Sequence, residues 1–519
     1  MVNIAQNELD VTVENQGLDE NRLGARKIGP GTHFETCQER LSPFGGVLGL
    51  IKFLDLFRFE AIFERFYLPP SRKPTLGHYK MVLAMLMLLF IGFSRLWHFL
   101  YVQLDSMLCA ALGVEQLPHA TTFWRYLDSL GINQAQPLLK ISAAVRERVW
   151  AHCDLSFKTI HIDIDTTVET VYGDQQGARK GHNTQHRGKK GFRPVMAFIS
   201  ETHEFLAGKF RKGTTIAAEE TARLIRSFPQ YLPGVVKDVV IRADGEFFCH
   251  EAVSAARTCG YSFIIANRAG KPGFDDFGWY KVNPKDTIAY NDCIYQPQGW
   301  EKPERFVAMR IPIEETKEAA ASEKQQLQLF EDDRYKYRIF VSDRKHKTHK
   351  VIEEYDGRAD AENLVGEVKR EGLSAIPSAK FKNNYAFFCI VMLAYNIWRW
   401  MKLVAALTVP QEATGESRHR LSAIAQNTLR IARLVLLLIA AKIVYNANRV
   451  KVRYSIHDTR VPAFFDFLHH LDHYRGIPFA APSWQPNCQP PDLPMDLMQE
   501  NSCINSNTPA VQKTKKDKT

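Results

Sequence analysis

The stretch TIHIDIDTTVETVYG, beginning at Thr159, restricts the fold more than any other part of the chain. Its residues alternate between apolar and polar, the period-two pattern of a strand with two unlike faces. Ile160, Ile162 and Ile164 make one face, and His161, Asp163, Asp165 and Thr167 the other. RPVMAFISETHEFLAGKFRKGT then reads as two further strands around a turn. AAEETARLIRSFPQYL is a helix, VVKDVVIRADG a strand, CHEAVSAARTCG a helix closed by Gly260, and YSFIIANR another strand. Three strands followed by helix, strand, helix and strand predict a mixed α/β layer.

Two places in that pattern carry unusual carboxylates. An aspartate in mid-strand on a covered face is costly unless paired or metal-bound. Asp163 and Asp165 are therefore ion-paired, exposed or ligands. Asp244 ends the fourth strand, just before Gly245. Ligands gather at the carboxyl ends of strands in open α/β sheets, although an aspartate there also suits a turn or a helix N-cap.

The 519-residue chain is too long for one compact core. Residues 1–30 read as a flexible leader, and 31–155 as a helical region, with TTFWRYLDSLG offering a Thr N-cap. Residues 156–268 and 345–402 form the α/β domain, interrupted at 269–344 by a β-rich insertion that includes the charged, helix-like EETKEAAASEKQQLQLFEDD. A C-terminal helical region, 403–482, precedes a Pro-, Asn- and Lys-rich tail, 483–519, expected to be disordered. RLSAIAQNTLRIARLVLLLIAAKIVYNANRV is read as strongly helical.

A net charge of +10 favours a polyanionic partner. The basic loop GARKGHNTQHRGKKGFRP places Arg179, Lys180, Arg187, Lys189, Lys190 and Arg193 together with no acid, a composition suited to a phosphate backbone. His161, His182 and His186 read as polar contacts. Trp279 and Trp300 read as packing residues before base-stacking ones. Nine scattered cysteines form no C-x-x-C, so a bound metal must use oxygen ligands. The polar, acidic N-terminus resembles no secretory signal, and the runs MVLAMLMLLFIGF and LVLLLIAA are short for a membrane span. No membrane association and a cytoplasmic location are expected.

In YDGRADAENLVGEVK, an unbroken helix at about 100° per residue brings Tyr355, Arg358, Glu362 and Lys369 within an arc of roughly 60°. Ala361, Leu364, Val365 and Val368 form its core face, while Asp360, Glu367 and Glu371 point to solvent.

An aspartate in the first strand, another ending the fourth and a glutamate on a later helix match the ribonuclease-H-like layout, in which strands 1 and 4 adjoin. The chain resembles DDE transposases of bacterial insertion sequences, in the branch with a β-rich insertion between the second Asp and the Glu. Tyr355, Arg358, Glu362 and Lys369 match that branch's Tyr-x2-Arg-x3-Glu-x6-Lys signature in full, and DTT at Asp165 and RADGEFF at Asp244 resemble its two aspartate motifs. The resemblance implies a ribonuclease-H-like mixed sheet flanked by N- and C-terminal helical regions. It implies Asp165, Asp244 and Glu362 as catalytic ligands of two Mg²⁺ ions, for which Mn²⁺ can substitute. Thr166 and Thr167 favour Asp165 over Asp163 as the first of them. Tyr355, Arg358 and Lys369 would then meet DNA phosphates, and the helical region 31–155 would bind the DNA ends. The implied activity is metal-dependent hydrolysis at transposon ends and strand transfer of the 3′-OH into target DNA, in a homodimer or larger synaptic complex, near the bacterial nucleoid. The alternatives are a same-fold nuclease without strand transfer and a non-catalytic DNA-binding regulator.

Overall fold

The structure is a computed structural model that describes residues 28–181, 183, 186–313, 334–407, 415–446 and 449–475. The expected leader as far as Lys27, the charged segment 314–333, His182 and the tail from 476 lie outside the described residues. Residues 28–40 belong to a separate unit and carry no helix or strand.

After the two-residue strand Leu41–Ser42, which pairs antiparallel with Ala441 and Lys442, the chain continues in helices. In α1 (His78–Phe90) all ten residues from Met81 to Phe90 are buried, as expected of a helix that is apolar all round. The helix Ala120–Ser129 is capped by His119, whose ring accepts from the Thr121 backbone N–H, and not by a threonine. Next, α2 (Pro137–His152) starts on a proline, which forfeits no hydrogen bond in the first turn.

Eight strands form one sheet: β1 (Thr159–Thr166), β2 (Val195–Ile199), β3 (Glu204–Lys209), β4 (Asp238–Ala243), β5 (Ser262–Ala266), β6 (Ala289–Tyr295), β7 (Glu304–Pro312) and β8 (Tyr335–Ser342). Their order is β6-β7-β8-β5-β4-β1-β2-β3. The pairs β1–β4 and β4–β5 are parallel, and the others antiparallel. Strands β6 to β8, from the segment 269–344, extend the same sheet because β8 pairs directly with β5.

Ile160, Ile162 and Ile164 are fully buried with Ala222 and Ile225 of α3 (Ala218–Ser227) and Ala252, Val253 and Ala256 of α4 (His250–Thr258). Val351 and Ile352 of α5 (Thr348–Asp356) cover Val240, Ile264 and Phe340 on the other face. Farther along that face, Met196 and Phe198 join a core with α6 (Ala359–Val368) and the long α7 (Phe381–Leu407). By length and composition α7 could cross a membrane, yet 94% of its most apolar window is buried inside the protein. Its Trp398 stacks on Phe90 of α1 at 3.9 Å.

One buried carboxylate joins three layers. Glu204 of β3 accepts from Arg146 and Trp150 of α2 and from Trp400 of α7, at 2.6, 2.7 and 2.8 Å. Beyond α7, the segment read as strongly helical holds two short helices, Gly415–Ile424 and Leu429–Leu436, but ends in a hairpin of β9 (Ala441–Asn446) and β10 (Arg449–Tyr454). Alternation takes over at Ala441: Ile443 enters the core while Tyr445 and Val450 face each other across the ladder.

Candidate active site

Strand pairing brings the two aspartates together. Ile164 of β1 lies opposite Ala243 of the parallel β4, so Asp165 and Asp244 occupy the next positions on adjacent strands. Asp165 accepts from the Thr166 backbone N–H at 2.8 Å, and Asp244 from that of Glu246 at 3.0 Å. Burial raises the pKa of both carboxyls, and the charges of Asp244 and Glu362 push Asp165 further, to about 6. Arg358 opposes this rise at both aspartates. Asp163 has a different partner. It is 1% exposed and takes both branches of the Arg242 guanidinium, at 2.7 and 2.8 Å. That fork satisfies the buried carboxylate.

The predicted single helix through Tyr355 and Lys369 is broken. Helix α5 ends at Asp356, α6 starts at Ala359, and Lys369–Leu373 form a wider π turn. The break accommodates Arg242, whose Nη1 donates to the Glu354 carbonyl at 2.7 Å, where any Cβ on Gly357 would stand. Arg358 thereby sits at the start of α6. Its Nη2 donates to the Ile164 carbonyl at 3.1 Å and lies 3.3 Å from Asp165 Oδ1. Its Nε is buried without a hydrogen-bond partner. Glu362 lies one turn farther along α6, exposed.

The other signature residues also face protein groups. Lys369 donates to the Val168 carbonyl at 3.1 Å and lies 3.4 Å from Glu169, while the half-buried Tyr355 ring packs on Phe340 at 4.3 Å. Glu367 and Glu371 do not point to solvent. Glu367 is buried, bonded to Arg399 of α7 and to the Leu429 backbone N–H, and Glu371 pairs with Arg433. Both helices that supply those partners press against the side of α6 assigned to water.

In the basic loop, Arg179, Lys180, Arg187 and Lys189 are exposed, with Lys189 above the Tyr172 ring. Lys190 is engaged by Asp174 at 2.8 Å. Arg193 turns inward to Glu246 at 2.5 Å, and Glu246 also accepts from the Thr166 hydroxyl at 2.8 Å. That network ties together the residues beside Asp165 and Asp244. His186 is exposed, and Trp279 packs against Arg310 at 4.3 Å and Trp300 against Phe248 at 5.2 Å. His161 donates from its two ring nitrogens to Glu201 at 2.7 Å and Glu354 at 3.0 Å. Burial lowers its pKa, but the two carboxylates outweigh this and hold it at about 9.

Sequence reasoning missed Arg242, Gly357 and Glu246. Arg242 and Asp244 flank Ala243 at strand spacing, a signal that a buried partner was needed on that face. Among the described residues, no three His, Cys, Asp or Glu side chains are grouped closely enough to hold an ion by themselves. The donor set still suits Mg²⁺, which takes one or two protein carboxylates and completes its shell with water and substrate phosphate.

No curated protein matches the chain. Its structure is similar to that of a piggyBac transposase in a synaptic complex with hairpin DNA, at 12% identity and TM-score 0.35, covering 73% of this chain and 85% of that one. Residues 35–474 match the family model described as transposase DDE domain group 1. That match spans most of the chain, including both aspartates and Glu362: the protein belongs to the DDE transposase family, group 1.

Proposed function

We propose that the protein is a cut-and-paste DNA transposase of the bacterial insertion-sequence type, hydrolysing one strand at each transposon end and joining the freed 3′-OH to target DNA. The observation that carries this reading is the placement of Asp165 and Asp244 at adjoining positions of adjacent parallel strands, with Arg358 3.3 Å from Asp165 and Glu362 one turn farther along α6. Asp165, Asp244 and Glu362 would hold divalent ions. When bound, such ions activate the attacking oxygen and stabilise the leaving one.

The side chains do the positioning. Arg358 offsets the charge of the buried aspartates. Arg193 and Glu246 hold the two strand ends in register. Arg179, Lys180, Arg187 and Lys189 offer exposed charge to the DNA backbone. Joining two ends to one target requires a dimer or larger assembly.

The test incubates the protein with Mg²⁺ and linear DNA carrying the element's ends. Strand-transfer products from the wild type but not from Glu362→Gln support transposition. Cleavage without joining supports a nuclease, and binding alone a regulator.

A further inference from the structure

We infer that the hairpin of β9 and β10 is a second DNA-binding surface, outside the catalytic sheet, that grips duplex DNA through its phosphates. Directly opposite residues of an antiparallel pair project to one face. The register therefore puts Lys442 with Arg453, Val444 with Lys451, and Asn446 with Arg449 on a single face. That face holds four cations and no acid.

The opposite face is anchored. Ala441 and Ile443 are buried, Val452 and Tyr454 pack on the same core, and the Tyr454 hydroxyl donates to the Gly45 carbonyl at 2.9 Å. The cationic face is thereby turned outward on a fixed support. Arg449, Lys451 and Arg453 are exposed and, among the described residues, have no acidic partner. The nearest acid in sequence, Asp458, is taken by Arg460 at 2.6 Å. Other arginines of this protein are committed: Arg146, Arg193, Arg242, Arg399 and Arg433 each hold a carboxylate. Arg449, Lys451 and Arg453 form a row along one strand, facing the same way.

The chemistry selects the partner. Protein interfaces centre on apolar and aromatic anchors, whereas this face carries no aromatic residue and only Val444 and, across from Lys442 on the short strand Leu41–Ser42, Leu41 beside its four cations. Two residues of strand separate successive cations, about 7 Å, which suits a regularly charged polymer. A two-stranded ribbon also has the width that the DNA major groove admits. The choice of duplex DNA among polyanions rests on the transposase reading above.

The test compares the wild type with the triple variant Arg449→Gln, Lys451→Gln, Arg453→Gln. Binding of a labelled duplex is followed by anisotropy across a KCl series. The slope of log affinity against log salt should fall by about 3, roughly one per cation lost. Arg449→Lys, Lys451→Arg, Arg453→Lys should keep the wild-type slope. An unchanged slope in the glutamine variant overturns the inference, as does equal loss in the charge-keeping variant, which would report misfolding. If polyglutamate binding weakens as much as duplex binding, the assignment to DNA is overturned. Glu362→Gln separates the two readings: it should bind duplex with the wild-type slope. Its continued cleavage would overturn the proposed chemistry and leave the ribbon assignment standing.

Discussion

A Cβ on Gly357 would stand 2.6 Å from Nη1 of Arg242. Gly357→Ala should therefore act on the active site from an exposed position. Arg242 cannot retreat freely, because its fork is closed on Asp163. We expect a loss of about 1–3 kcal/mol in urea denaturation, the usual cost of overpacking, together with slower cleavage as Arg358 is displaced. Arg242→Lys in the same chain removes the clash, so the two effects should be less than additive. Strict additivity would show that the two residues are not coupled.

Glu362→Gln separates chemistry from folding. The side chain is exposed and no hydrogen bond holds it among the described residues. Stability should stay within about 0.5 kcal/mol of the wild type, while cleavage of transposon-end DNA is lost. A thermal melt and a gel-based cleavage assay on one preparation check both halves.

Glu367→Ala should do the reverse. It leaves Arg399 buried without its carboxylate and the Leu429 N–H without an acceptor. Breaking a buried pair in this way costs about 3–5 kcal/mol, readable as a lower urea midpoint at unchanged slope.

His161 gives a pH signature. Its folded pKa, about 9, lies above the ordinary imidazole value of 6.5 because Glu201 and Glu354 overcome the effect of burial. The folded state binds the extra proton between those values. Its stabilising contribution is therefore complete below pH 6.5 and is lost as pH rises through 9. His161→Asn should flatten the decline of stability over that window, measured by urea denaturation at successive pH values. An undiminished decline would place its origin elsewhere.

The legible parts of this protein were those whose signal is local. Period-two alternation exposed Ile160, Ile162 and Ile164, and with them the two sides of β1. Asp244 was legible because a strand, an aspartate and a glycine follow one another. The helix break at Gly357 was not legible, because a helical wheel contains no term for Arg242 arriving from β4. Glu367 and Glu371 were assigned to water for the same reason: Arg399 and Arg433 come from distant segments. In β9 and β10 the alternating Ile443, Tyr445, Val450 and Val452 were visible, but the leucine run before them favoured a helix.

The bonds on the far side of α6 bear on how the protein can be divided. A fragment ending after α7 would keep every strand of the sheet, Asp165, Asp244 and Glu362. It would also strip Glu367 of the Leu429 N–H and Glu371 of Arg433. The segment bearing Glu362 is thus completed by residues beyond the apparent boundary. The eight-stranded sheet is not a transferable cassette, and fusions that borrow it must carry the helix Leu429–Leu436 as well.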